Sequence, residues 1–265
     1  MKRNRLISIL NNRGIIEAIS LSLTIILWEL VSNFIVRNPG KLPSPYSILL
    51  AFCDIWEIIP LDIGISLLHF GIGIGAGAAM GIIVGMLMGW FRIVDRIMDP
   101  MVEILRPIPP LAWVPFAILW GGLTHYAAGF IVFIGAFFPI LINTYTGFRE
   151  VDKTYIDAAR VLGCREEWKL IKFIALPFSL PFIATGIRIG MGVGWMCVVA
   201  AELFGVSKSG LGYRLFQVFW PLHMIDKLIL YMIILGLVAL LLDRLFRYFV
   251  EEKLFKWKRG IVIAK

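Results

Sequence analysis

The sequence predicts an all-α membrane protein with about six transmembrane helices and a cytoplasmic two-helix loop. Three observations predict it. Apolar residues make up 59% of the chain and gather in runs of about 20, the length that crosses a hydrocarbon core as a helix. Lysine and arginine fall almost entirely in alternate connections. One connection, 150–177, carries the caps and breakers of two short helices. A soluble globular chain is about 45–50% apolar, and the mean hydropathy here is +0.85. A backbone in lipid must satisfy its own hydrogen bonds, so each run should be a helix. Nothing in the composition splits off a soluble part, and 1–265 reads as a single transmembrane domain.

The spans follow in order as 15–36, 62–90, 101–120, 127–147, 178–201 and 228–249. The first follows Lys2, Arg3 and Arg5, as a secretory signal would. It is too long for a signal core and is followed by Arg37-Asn38-Pro39-Gly40 rather than small residues, so it reads as a retained helix. Twenty lysines and arginines lie in the N-terminus, the loops after the second and fourth spans, and the C-terminal segment. Five lie in the other connections (Arg37, Lys41, Lys208, Arg214 and Lys227), and Arg188 falls inside a span. This imbalance places both termini and the 148–177 loop in the cytoplasm. It also accounts for the net charge of +8 without nucleic acid as a partner.

Two spans carry glycine rows. Gly73, Gly77, Gly81, Gly85 and Gly89 share one face of the second, and Gly186, Gly190 and Gly194 one face of the fifth. Small residues at this spacing let helices approach closely in lipid, either as ordinary packing or around a pathway or dimer interface. Pro107, Pro109, Pro110 and Pro115 break the third span, as a junction near a cavity or as a loop before a short span. Glu29, Arg188 and Glu202 are the charges within or at the end of spans, where such residues face the bundle interior or water. Arg188 either reaches back to the cytoplasmic interface or faces the pathway. Gly186, Arg188, Gly190, Gly194 and Glu202 are the candidate pathway or gating residues.

Cys53, Cys164 and Cys197 are scattered, as are His69, His125 and His223. No disulfide framework, metal site or cofactor is suggested.

The 150–177 loop is the informative segment. Asp152 is a good N-cap for a helix from Lys153, and Gly163 suits the position just past its end. A second helix should run from about Arg165 to Phe173, limited by Pro177. Ala158 and Ala159 leave one face closely approachable, while Tyr155, Leu162 and Trp168 supply apolar contacts. Such a knob suits a groove on a partner protein, or it lies on the membrane surface.

The pattern Asp157-Ala158-Ala159-x3-Gly163, with Ile174-x-Leu176-Pro177, resembles the EAA loop of permease subunits in binding-protein-dependent ABC importers. Asp157 stands where that family usually has Glu. Ten residues, rather than the usual nine, separate the glycine from Ile-x-Leu-Pro. Leu42-Pro43-Ser44-Pro45, the segment from Arg106 to Pro115, Ala200-Ala201-Glu202 and Gly210-Leu211-Gly212 are similar to the branch of nitrate, sulfonate, taurine and bicarbonate importers. That branch also includes some importers of thiamine-precursor pyrimidines. The resemblance implies a permease homodimer in a prokaryotic plasma membrane, two copies of an ATP-binding cassette subunit, and an external substrate-binding protein. It makes Asp157, Ala158, Ala159, Gly163, Leu176 and Pro177 the coupling residues.

The chain carries no chemistry of its own in this reading, and no catalytic residue is expected. Gly205-Val206-Ser207-Lys208-Ser209-Gly210 lacks the Gly-Lys-Ser/Thr end of a phosphate-binding loop, so ATP hydrolysis would belong to a separate subunit. An ion-coupled secondary transporter is the alternative, but it would need paired broken helices or coupling-ion carboxylates. A His-Glu-x-x-His zinc protease motif is absent, and no serine motif accompanies His69.

Overall fold

A computed structural model describes residues 13–205 and 207–250. The terminal cations that entered the charge count, Lys2, Arg3, Arg5, Lys253, Lys256, Lys258, Arg259 and Lys265, lie outside them. The helices, in chain order, are α1 (Arg13–Leu30), α2 (Pro45–Ile55), α3 (Ile59–Trp90), α4 (Arg92–Leu105), α5 (Val114–Gly121), α6 (His125–Arg149), α7 (Lys153–Val161), α8 (Glu167–Leu170), α9 (Leu176–Leu203) and α10 (Ile225–Arg247). Among the described residues, five helical stretches are long and apolar enough to cross a membrane, or six if one bent pair forms a single span.

The described chain falls into two compact units, 13–60 with 214–234 and 61–213 with 235–250. In the first, α1 ends in a wider π-helical turn, Val31–Val36. Ser44 caps α2 by accepting the Ser47 N–H, with Pro45 at the first turn, where its missing donor costs nothing. Glu29 accepts from Asn33 and, at 3.4 Å, from the Tyr46 N–H in the first turn of α2. This is a neighbouring polar partner for Glu29 of the kind expected.

In the second unit, α6 is the central helix. Ile131, Val132, Ile140 and Leu141 on it are at most 1% exposed. Both glycine rows pack against it. A Cβ on Gly85 would come within 2.6 Å of the Leu141 carbonyl oxygen, and one on Gly190 within 3.0 Å of the Ile140 side chain. The small residues therefore let α3 and α9 each lie close against α6, the first reading offered for them.

The third predicted span is not one helix. Residues 92–105 and 110–121 form two pieces bent by 91°, with the proline cluster at the corner. Pro107 cannot continue α4, and Pro110 begins a 3-10 turn, Pro110–Trp113, that leads into α5. Helix α4 is sharply two-faced: Ile93, Ile97, Met101 and Ile104 form an exposed stripe, whereas Arg92, Asp95, Arg96, Asp99 and Glu103 lie on the other side. The expected span 101–120 therefore starts too late and omits this amphipathic piece.

The second short helix of the loop is also corrected. Helix α8 starts at Glu167, and Pro177 does not end it. The backbone widens into a π-helical segment, Ile171–Ala175, and passes directly into α9, where Pro177 sits in the first turn. Glu167–Leu203 is one helical stretch of 37 residues.

Candidate functional site

The second unit has a worked site at each of its two poles. At one, α7 and α8 form the knob expected from sequence. Asp152 Oδ1 accepts from the Thr154 N–H at 2.9 Å and from its hydroxyl at 2.8 Å. These donors hold the Asp152 carboxyl below the usual carboxylate range. The C-terminal end of α7 is a Schellman turn: the Cys164 N–H reaches the Ala159 carbonyl, the Gly163 N–H reaches the Arg160 carbonyl, and Gly163 takes φ +94°. That conformation strains any side chain.

The knob is bolted down at its root. Glu167 accepts from Trp90 Nε1 at 2.9 Å and from Arg160 at 3.3 Å. Arg149 reaches Asp95 at 3.2 Å. Phe148, Val151, Ile171, Ala175 and Ile183 form a buried cluster beneath it. Its tip is the reverse: Val161 is 87% exposed and Leu162 88%. Asp157, Ala158, Gly163 and Pro177 are exposed, while Ala159 and Leu176 are half-buried. The knob's exposed surface thus brings the predicted coupling residues together.

At the other pole, polar side chains are buried deeply enough to require partners. Glu202, at the end of α9, and Ser66 and His69 of α3 are all 0% exposed. Glu202 accepts from Ser66 Oγ at 2.9 Å, from His69 Nδ1 at 2.8 Å and from the Gly212 N–H at 2.8 Å. Ser66 Oγ accepts in turn from the Leu211 N–H, and Asp62 from the Gly210 N–H. Three successive amides of the 207–212 segment are thereby latched to α3 and α9. Gly210, at φ +130°, has no room for a Cβ, which would lie 2.6 Å from the Glu202 carboxyl carbon. His69 Nε2 continues the chain to Nδ1 of His125 at 2.8 Å, and His125 is exposed in the first turn of α6. Among the described residues, no three His, Cys, Asp or Glu side chains are grouped to hold a metal ion.

Residues 77–253 match the family of binding-protein-dependent transport system inner membrane components. The chain belongs to that family. It is 42% identical over 258 residues to a putative ABC transporter permease protein of Methanocaldococcus jannaschii, covering 94% of this chain and 95% of the relative. It is 34% identical to a putative aliphatic sulfonates transport permease protein of Bacillus subtilis, covering 89% and 85%. It is 35% identical to a bicarbonate transport system permease protein of Synechococcus elongatus, covering 83% and 82%. The permease is therefore a multi-pass transport component rather than an enzyme, and its family implies an ATPase and a substrate-binding protein as partners. The reading as a subunit of an ATP-driven importer holds, and the secondary-transporter alternative does not.

The permease's remaining candidates sit between the two poles. Gly186, Gly190 and Gly194 are buried on the α6 seam, against Asn143, Ile140 and Val132. Arg188 makes a two-pronged ion pair with Asp243 of α10, at 2.8 and 3.3 Å, and Arg247 reaches the same carboxylate at 3.0 Å. The pair edges an apolar crevice of about 210 Å³ lined by Phe70, Met191, Trp195 and Leu242.

Sequence reasoning missed Asp243, Asp62, Ser66 and His69. For the last three a signal existed: positions 62, 66 and 69 fall on one helix face, an unusual polar stripe in an apolar span. For Asp243, the two arginines beside it made it read as part of a solvated helix end.

Proposed function

We propose that the permease, paired with a second copy of itself, forms the solute pathway of an importer in a prokaryotic plasma membrane. The knob pole faces the cytoplasm and docks on an ATP-binding cassette subunit, one per permease copy. The latch pole faces the external binding protein. The cargo is a small anion of the sulfonate or bicarbonate kind named for two relatives.

One observation carries the reading. The knob offers bare leucine and valine at its tip while its root is held by a buried cluster and ion pairs. Apolar tips on a rigid root are what a partner groove recognises. Continuity of the knob's second helix with α9 gives ATPase closure a route into the membrane. Gly186, Gly190 and Gly194 take part in gating by allowing α9 to shift along α6. Arg188 takes part by drawing an anion to the crevice it edges.

The test is to purify the permease with whatever it retains in mild detergent and assay ATP hydrolysis. A Walker-motif subunit should co-purify stoichiometrically. Val161→Asp and Leu162→Asp alter exposed positions, so the chain should insert normally, yet ATPase recovery should fall at least tenfold. Gly163→Asp should uncouple uptake as well, by straining the turn and placing a charge at the seat. Full ATPase recovery with both tip variants would end the docking assignment.

A further inference from the structure

The chain of hydrogen bonds at the latch pole fixes its own proton positions. Glu202 accepts from Ser66, His69 and Gly212, so its ionised form satisfies every donor around it. His69 must then carry its proton on Nδ1, which leaves Nε2 as an acceptor. The group facing Nε2 is His125 Nδ1 at 2.8 Å, which must therefore donate. His125 thus turns Nε2 outward, at an exposed position beside a depression lined by Thr124, Tyr126 and Lys208. The three side chains form a directed wire from solvent to a carboxylate that solvent does not touch.

We propose that His125, His69 and Glu202 are a proton relay that makes the hold on the 207–212 segment respond to the pH on that side of the membrane. A proton adds to His125 Nε2. The proton on His125 Nδ1 passes to His69 Nε2, and the proton on His69 Nδ1 passes to Glu202 Oε1. One proton enters, both imidazoles end neutral in the opposite tautomer, and no electrons move. Every bond in the wire survives with its direction reversed: Glu202 now donates to His69, and His69 donates to His125. What changes is the carboxylate charge. The Gly212 N–H and Ser66 O–H bonds drop from charge-assisted to neutral, and hydrogen bonds to an ionised partner are roughly twice as strong. Acid therefore loosens the latch without water entering it.

The groups facing the wire are accounted for by element. Helix α3 presents Asp62 besides His69, α6 presents Tyr126 beside His125, and the 207–212 segment brings Lys208. Asp62 holds the Gly210 N–H directly and lies off the relay. Lys208 keeps its charge throughout the range concerned.

The assignment of this pole to the outside rests on the proposed function, but the relay does not, and its test needs neither ATPase nor solute. The full-length permease complex in nanodiscs is followed by hydrogen exchange of the peptide spanning 207–213. Rates are corrected for intrinsic exchange at each pH. Protection in the wild type should fall several-fold between about pH 8 and pH 5. His125→Gln cuts the wire at an exposed position and should hold protection nearly constant. Asp62→Asn should lower protection at Gly210 but keep the pH response. Glu202→Gln, a mimic of the loaded state, should be weakly protected at every pH. A flat wild-type profile, or a His125→Gln profile that tracks the wild type, overturns the relay. Loss of the response in Asp62→Asn alone would assign it to Asp62 instead, which also overturns it.

Discussion

Single residues decide the ends of the knob. Asp152 starts α7 by satisfying a Thr154 amide that the helix leaves without a partner. Replacing Asp152 with Ala should fray the first turn and reduce ATPase recovery, while Asp152→Asn should restore both, because an amide oxygen accepts the same N–H. Exchange rates at the Thr154 amide report the difference. The pH dependence follows from the direction of the shift. A carboxyl held below its ordinary value of 3.8 contributes fully above that value and loses its contribution as the pH falls through the lower folded one. Wild-type α7 should therefore fray in acid, and Asp152→Asn should show no such step. These ends were legible in the sequence because caps and left-handed glycines act within four residues of themselves. Glu202 was legible only as a charge at a span end. Its partner His69 is 133 residues away, and no local pattern joins them.

Elements tell a similar story with different reasons. The apolar runs marked out α1, α3, α6, α9 and α10 to within a few residues, because lipid imposes length and composition together. The broken third span escaped because α4 alternates its faces too cleanly to look like a span. The two-faced helix and the short α5 piece became visible only once the bend between them was measured. The extra residue between Gly163 and Ile174 also finds its place at this scale. A π-helical turn is an α-helix with one residue inserted, and Ile171–Ala175 is such a segment, so the insertion is absorbed without breaking the run into α9. Deleting one residue within 171–175 should convert the segment to α-helix and leave the knob's docking face intact but rotated by about 100°. ATPase recovery should then fall although the chain still inserts. The glycine seams can be tested separately. Gly85→Val would force a side chain toward the Leu141 carbonyl, and overpacking of this kind costs about 1–3 kcal/mol. The thermal midpoint of the purified permease should drop, while Gly64→Val, where nothing lies within 4 Å, should leave it in place.

Across the whole molecule, orientation is the property that charge counting predicts and sided chemistry can check. A membrane-impermeant thiol reagent should label Lys208→Cys, in a background with Cys53 replaced by Ser, on intact cells. Cys164, partly exposed beside Gly163, should be labelled only after permeabilisation. The reverse pattern would invert the permease and with it the roles of both poles. The Arg188–Asp243 pair offers a second check at this scale, since it ties α9 to α10. Arg188→Ala alone leaves a carboxylate facing two fewer hydrogen bonds at membrane depth, which is costly. If the pair is only a strut, Arg188→Ala with Asp243→Ala should recover both assembly and uptake. If Arg188 meets the solute, assembly should recover and uptake should not.

The unbroken run from α8 into α9 has a mechanical consequence. Its 37 residues make a rod of about 55 Å at about 1.5 Å per residue. A tilt of about 5° at the knob would swing the far tip by about 5 Å, more than the length of any hydrogen bond in the latch. Glu202 sits at that far tip. A small rocking imposed at one pole is therefore magnified, by leverage alone, into a displacement that the fastenings at the other pole must either follow or release.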